Sequence, residues 1–297
     1  MKKSFKLFLA AAVLVTEFFV VALPLMITSA KADGHPIQAI THAGFGGGTD
    51  VTTRMMLLRT RRYLKQDMQL VNKKGGGGAA SMDYMMTLPA DGQHTLTWTT
   101  GHAVSMALGK TKVKLSDMQP LARGTDDPQL FVVNCKNDIK DAKKFISAQK
   151  SKSLKYGTTH VGGIDDVSAI AFTKKGKLTD PTIVPYKGVG PIKTNLIKGD
   201  IDVGVLNLGE AVTEIEDGTL CVSVVLASNR MEKLSNVPTA TELGIPVVLS
   251  TVRGFVTRKG VPADRKKQLE DAMIKAMEHK YFQSFLTDIG LDSTSVV

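Results

Sequence analysis

The chain has 297 residues, 43% of them hydrophobic, with 38 Lys and Arg against 28 Asp and Glu. That length supports two modest domains around a substantial buried core. The positive surplus is spread along the chain without a basic block interleaved with aromatics, which argues against a nucleic-acid partner and leaves a field that favours small anions.

Residues 1–32 read as an export signal. Lys2, Lys3 and Lys6 precede a mostly apolar stretch, and Ala30-Lys31-Ala32 offers a small-x-small cleavage site, placing the cut before Asp33. The apolar stretch is long and contains Glu17, so an uncleaved anchor stays open as an alternative. No cysteine lies near the cut to take a lipid. The remaining 265 residues keep 34 basic and 27 acidic side chains, a net charge of +7. No second segment is long and apolar enough to span a bilayer.

Beyond the signal, strand-like runs alternate with helical patterns. Strands are predicted at 37–41, 68–71, 95–99, 130–134, 154–156, 182–184, 201–206, 220–227 and 254–257. Helices are predicted at 51–64, 79–88, 141–150, 165–174, 189–198, 208–216 and 262–279. In the last of these Leu269, Ala272, Met273, Ala276 and Met277 recur at helical spacing and read as core. The β-α-β alternation predicts an α/β protein of parallel, doubly wound sheets. So many strands divide better into two lobes than into one sheet: 33–130 with 254–297, and 131–253. In such folds ligands lie beyond the carboxyl ends of the strands, so the loops there carry the chemistry.

The first of those loops is Ala43-Gly44-Phe45-Gly46-Gly47-Gly48-Thr49-Asp50, between a strand and a helix. Glycine lets amides turn toward a ligand, and a helix N-terminus attracts an anion. Phe45, Gly46, Gly47 and Thr49 are therefore candidate ligand-binding residues. The spacing is not a dinucleotide fingerprint, because Thr49 stands where the third glycine belongs. Nor is Gly109-Lys110-Thr111 a phosphate loop, because Val104 replaces its leading glycine. A second run, Gly75 to Gly78, reads equally as a cleft wall or as a turn before a helix. Later loops add Thr100 and His102, then Thr159, His160 and Gly163, then Tyr186, Lys187 and Gly188, and finally Asn207. Their hydroxyls and amides suit a carboxylate.

His42, His102 and His160 follow three different strands and leave a metal site open, although hydrogen bonding to ligand or backbone fits each better. No metal or other cofactor is called for. No Gly-x-Ser-x-Gly elbow occurs and neither cysteine sits beside a base, so catalytic residues are not expected. Asp165 and Asp166 are adjacent and read as caps rather than as an acid pair. Cys135 and Cys221 are either a disulfide or two buried thiols.

In this order the motifs resemble the periplasmic solute-binding receptors of tripartite tricarboxylate transporters, often called Bug receptors. The pieces are Phe45 to Asp50, Asn72 with its glycine run, Pro89-Ala90-Asp91-Gly92, Val184 to Gly188 with Gly190-Pro191, and Asn236 to Gly244. The resemblance spans about residues 36–291. It implies a periplasmic-binding-protein-like pair of lobes that closes on a small organic anion, a carboxylate, and passes it to membrane permease subunits. It also implies that backbone amides and small hydroxyls of the first loop and of residues 157–163 hold the carboxylate. The chain departs from the family in Phe45, where a proline is usual, and in Lys73-Lys74, where Arg-Pro is usual. It also ends at Val297, short of the family's usual last helix. A sensory or metal-binding periplasmic protein is the alternative, and a secreted enzyme acting on an organic acid is a weaker one.

Overall fold

The computed structural model describes residues 35–159, 161–291 and 296. The expected export signal and its cleavage point lie outside the described residues, and so does His160. The chain runs β1 (Ile37–Thr41), α1 (Gly48–Leu57), α2 (Thr60–Leu64), β2 (Met68–Asn72), α3 (Ala79–Thr87), β3 (His94–Thr99), α4 (Thr100–Ala107) and β4 (Met118–Pro128). It continues as β5 (Leu130–Asn134), α5 (Ala142–Ser151), β6 (Lys155–Thr158), α6 (Ile164–Lys175), β7 (Thr182–Pro185), α7 (Val189–Lys198), β8 (Val203–Leu206), α8 (Leu208–Glu216) and β9 (Leu220–Val225). It ends with β10 (Ser250–Arg258), α9 (Ala263–Met277) and α10 (Lys280–Asp288).

The strands form two five-stranded sheets, ordered β2-β1-β3-β10-β4 and β7-β6-β8-β5-β9. Helices cover both sheets, giving the two α/β lobes of a periplasmic-binding-protein-like fold. The sheets are mixed rather than wholly parallel. β10 runs antiparallel to β3 and β4, and β5 runs antiparallel to β8 and β9. The cause is the crossing of the chain. β5 and β10 each begin where the chain leaves the other sheet, so they start at the edge where the parallel strands end and must run the opposite way. At that edge Gln129 N–H donates to the Leu249 carbonyl, Leu226 N–H to the Gln129 carbonyl, and Leu249 N–H to the Leu226 carbonyl. Three chain segments are thus knitted together between the sheets.

Each lobe buries its own apolar faces. In the second, Phe131, Phe145, Tyr156 and Phe172 meet as a ring cluster, with Phe131 and Phe172 edge to face at 4.9 Å. Such pairs add about 0.5–1.5 kcal/mol beyond the area they bury. In the first, Leu269, Met273 and Met277 of α9 pack with Met56, Phe255 and Phe282. The helix expected over residues 51–64 is broken at Leu58 and Arg59. There the Thr60 hydroxyl donates back to the Met56 carbonyl, the local competition that bends helices at Thr.

Cys135 and Cys221 form a disulfide, with Cα atoms 5.0 Å apart and a sequence separation of 86. It staples the end of β5 to the start of β9, beside the bond from Cys135 N–H to the Thr219 carbonyl. A loop of that length restricts the unfolded chain strongly, and native bridges of this kind contribute about 2–5 kcal/mol. The double variant Cys135→Ser/Cys221→Ser should lower stability by about 2–4 kcal/mol. Urea midpoints with and without reductant check this, since the variant should lose all sensitivity to reductant.

Candidate functional site

The first turn follows from its glycines. Gly46 has φ +73°, a conformation that side-chained residues rarely adopt. Its N–H donates to Asp50 Oδ2 at 3.0 Å, and Gly47 N–H donates to the Gly44 carbonyl at 3.2 Å. Burial raises the Asp50 carboxyl, but its bonds from Arg54 and Gly46 outweigh that and leave it below the usual carboxylate range. The turn is therefore folded around a permanent carboxylate. Gly47 caps α1 with no side-chain acceptor, so the first amides of the helix stay open to a ligand. The second turn repeats the device from the other lobe. Gly188, at φ +104°, caps α7 with no side-chain acceptor.

Both turns line one cavity of about 790 Å³ between the lobes. Arg253 of β10 lies at its floor, nearly fully buried. Its Nη1 donates to Asp127 Oδ2 at 3.0 Å, its Nη2 to Asn207 Oδ1 at 3.1 Å and its Nε to Thr49 Oγ1 at 3.3 Å. Burial pushes the Asp127 carboxyl up to about 6, against the pull of Arg253, and Asp127 Oδ1 has no hydrogen-bond partner among the described residues. Close to Arg253, Glu210 accepts from Asn207 N–H through Oε2 at 3.0 Å. Burial, opposed by Arg253, raises its carboxyl to about 7. Gly48 is the reason Glu210 fits. A Cβ there would lie 2.8 Å from Glu210 Oε1 and 3.4 Å from Arg253 Nη2.

Of the residues singled out from sequence, Phe45, Gly46, Gly47, Thr49, Thr159, Lys187 and Gly188 line this cavity. Phe45 is 74% exposed, with Lys74 Nζ 5.2 Å above its ring. Thr159 is held by Asp165, whose Oδ2 accepts from its N–H at 2.8 Å and from its hydroxyl at 2.6 Å. Asp166 Oδ2 accepts from Gly162 N–H, so both aspartates fasten the turn before α6.

The other described candidates, Thr100, His102, Gly163, Tyr186 and Asn207, do not line the cavity. Thr100 starts α4 and ties it to β10, donating to the Ser250 carbonyl and accepting from Val252 N–H, each at 3.0 Å. His102 is buried: Nδ1 accepts from Thr99 N–H at 3.0 Å, and the ring stacks on Trp98 at 5.1 Å. Burial, then the neighbouring His42, hold its pKa well below the usual value, so it is neutral. Gly163 is the cap of α6. Tyr186 packs on the second lobe's core, and its N–H donates to the Thr158 carbonyl. Asn207 holds Arg253 and, through Nδ2, the carbonyls of Asp127 and Pro128. The Gly75–Gly78 run serves packing. Ser105 donates to the Gly76 and Gly77 carbonyls, and a Cβ on Gly78 would strike the His102 ring.

Sequence reasoning missed Asp127, Glu210 and Arg253. A signal existed in Arg253, a lone charge between Val252 and the apolar stretch ending at Val256. Among the described residues, no group of three or more His, Cys, Asp and Glu is placed to hold a metal ion. Nor is any helix there long and apolar enough to cross a membrane.

A family profile described as a tripartite tricarboxylate transporter family receptor matches residues 52–296. BugT of Bordetella pertussis is 27% identical over 220 residues, which is 71% of this chain and 66% of BugT. Among solved structures, a ligand-free TctC solute-binding protein from Polaromonas superposes with a TM-score of 0.72 at 25% identity, covering 86% of this chain and 89% of its own. MatC from Rhodopseudomonas palustris, solved with bound malate, gives a TM-score of 0.73 at 26% identity, covering 86% and 90%.

Two expectations follow from the cavity floor. Arg253→Ala strands Asp127 without its counter-charge and should cost about 3–5 kcal/mol in urea unfolding. The Glu210 carboxyl, raised from 4.5 to about 7, keeps a proton that the unfolded chain has released, so stability falls as pH rises through that window. Asp127, raised from 3.8 to about 6, acts in the same direction at lower pH. Glu210→Gln should flatten the decline between pH 5 and pH 8 by on the order of 1–2 kcal/mol, allowing for solvent screening. Urea midpoints across that range decide it, and an unchanged slope would exclude Glu210 as its source.

Proposed function

The chain belongs to the tripartite tricarboxylate transporter receptor family, and from that premise we propose that it is exported, captures a small carboxylate between its lobes and delivers it to membrane permease subunits. The observation that carries this reading is the convergence of α1 and α7, from opposite lobes, on one cavity with glycine caps at both N-termini. Open amides at a helix N-terminus suit an anion, and charge-assisted bonds contribute about 1.5–3 kcal/mol each.

In this reading Gly46, Gly47 and Thr49 receive the carboxylate in the first lobe. Thr159, Lys187 and Gly188 meet it from the second, with Gly163 at the cap of α6 and His160 kept as a candidate from the sequence alone. Phe45 covers the mouth. Thr100, His102, Tyr186 and Asn207 position these turns rather than touch the ligand. The lobes are 33–130 with 254–297, and 131–253, and the knot at Gln129, Leu226 and Leu249 is the hinge on which they close. Closure is driven only by the ligand's better fit to the closed form. The malate bound by MatC, a protein of similar fold, supports a carboxylate as ligand. The Cys135–Cys221 bridge suits an exported protein, since such bonds persist in oxidising compartments.

The test is thermal denaturation of residues 33–297, unfolded and refolded to remove resident ligand, against carboxylates and their neutral amides. A cognate acid at one hundred times its Kd should add about 2.7 kcal/mol. For a chain of this size that raises Tm by roughly 5–10 °C. The matching amide should give no shift. Equal shifts with acid and amide, or turnover of the acid, would overturn the reading.

A further inference from the structure

The cavity that should take an anion also holds two carboxyls, those of Asp127 and Glu210. Asp127 and Glu210 share a single guanidinium, that of Arg253, and only Asp127 bonds to it. Each carboxyl has one oxygen engaged: Asp127 Oδ2 by Arg253, and Glu210 Oε2 by Asn207 N–H. Asp127 Oδ1 is buried with no partner among the described residues, and Glu210 Oε1 lies against Gly48 at the start of α1. Both residues line the cavity. Glu210 Oε1 therefore stands beside the start of α1, whose amides would receive a carboxylate, while Asp127 Oδ1 lies buried in the floor. A buried acceptor left unpaired is costly, so a ligand that brings a donor there gains what an unsubstituted acid cannot.

Resting on the carboxylate-receptor reading, we propose that Glu210, with Asp127 beside it, is the specificity-determining residue of the cleft and selects acids carrying an ammonium group, or next best a hydroxyl, alongside the carboxylate. An ammonium group supplies three donors and a charge opposite to that of the Glu210 carboxylate. A hydroxyl supplies one donor and no charge. An unsubstituted dicarboxylate offers neither and sets a second anion near Glu210.

The charged groups around Glu210 are of both signs. Glu210 is faced by Arg253 of β10, Asp127 of β4 and Asp165 of α6. His42, Lys187 and Lys193 share the cavity, and Lys193 is already paired with Glu214 at 2.7 Å. An unsubstituted acid fits best when Glu210 holds a proton, so its binding should weaken as pH rises past about 7. An amino acid neutralises the carboxylate instead and keeps its affinity.

The experiment is isothermal titration of matched acids at pH 6 and pH 8: succinate, malate and aspartate; glutarate, 2-hydroxyglutarate and glutamate; adipate, 2-hydroxyadipate and 2-aminoadipate. Wild type and Glu210→Gln are compared. Gln retains an acceptor for Asn207 N–H, and a far-UV circular dichroism spectrum matching wild type with a single cooperative melting transition confirms its fold. In the best-fitting length series, wild type at pH 8 should bind amino over hydroxy over unsubstituted acid, with at least a tenfold span. Only the unsubstituted acid should weaken about tenfold from pH 6 to pH 8. Glu210→Gln should compress the span to less than threefold and abolish the pH effect. A wild type that binds all three alike at pH 8, or a variant with the same ranking, overturns the assignment even if acids bind. Failure of every acid to bind would instead overturn the carboxylate-receptor reading, and this assignment with it.

Discussion

The cleft takes its shape from a single guanidinium that is bonded to three separate elements at its floor. Arg253 of β10 donates to Asp127 at the end of β4, to Asn207 at the cap of α8 and to Thr49 in the first turn of α1. A buried ion pair of this kind is weak evidence of stability, because desolvating both charges offsets most of their attraction. Its consequence is geometric. The fork of donors is rigid and planar, so three segments that reach the floor from different parts of the chain are fixed relative to one another. Asn207 then extends the arrangement, since its Nδ2 holds the carbonyls of Asp127 and Pro128 where the chain passes between the sheets.

Around that floor the helix caps divide into two kinds. Where α4 begins, Thr99 and His102 satisfy the cap between them, and His102 is consumed in doing so. At α5 the Asp141 carboxylate accepts from Lys144 N–H and closes the helix end. At α1 and α7 the caps are Gly47 and Gly188, which have no side chain to offer. A capping hydroxyl or carboxylate at either place would occupy the amides that an incoming anion needs and would oppose its charge. The absence of a side chain is thus what the proposed anion site requires of both positions. Gly188 needs its glycine for backbone reasons as well, having a positive φ, whereas Gly47 has an ordinary extended backbone and needs it only for openness.

The same distinction explains what could be read from the sequence. The glycine turn at Phe45 to Asp50 and the helix after it were legible because turn chemistry is local: the residues that require the conformation are adjacent. The α9 stripe of Leu269, Met273 and Met277 was legible for the same reason, as a period along one helix. β4 was hidden. It carries Pro120, Gly124, Asp126 and Pro128, residues that ordinarily punctuate chains, and it survives as a strand because β10 pairs with it over nine residues with two register shifts. The direction of β5 and β10 was hidden too, because it depends on where the chain crosses between the sheets rather than on any pattern within the strands. Thr100 and His102 looked like loop residues at the end of a strand. The helix that begins on them, α4, turns them inward.

The charged floor was the least legible part, and for a definite reason. Thr49 and Arg253 are 204 residues apart, Asp127 and Arg253 are 126 apart, and Asn207 and Asp127 are 80 apart. No periodicity or spacing rule relates positions that meet only after both sheets have formed. What a sequence does show in such cases is the cost of the arrangement: a guanidinium inside an apolar strand, or an aspartate just before a chain crossing, must find a partner or it would not be buried. The elements of the cleft that would attract an anion are built from local backbone conformation and announce themselves. The carboxyls that would discriminate among anions are assembled by tertiary structure alone, so their role follows from the folded arrangement, which sets Glu210 against the start of α1.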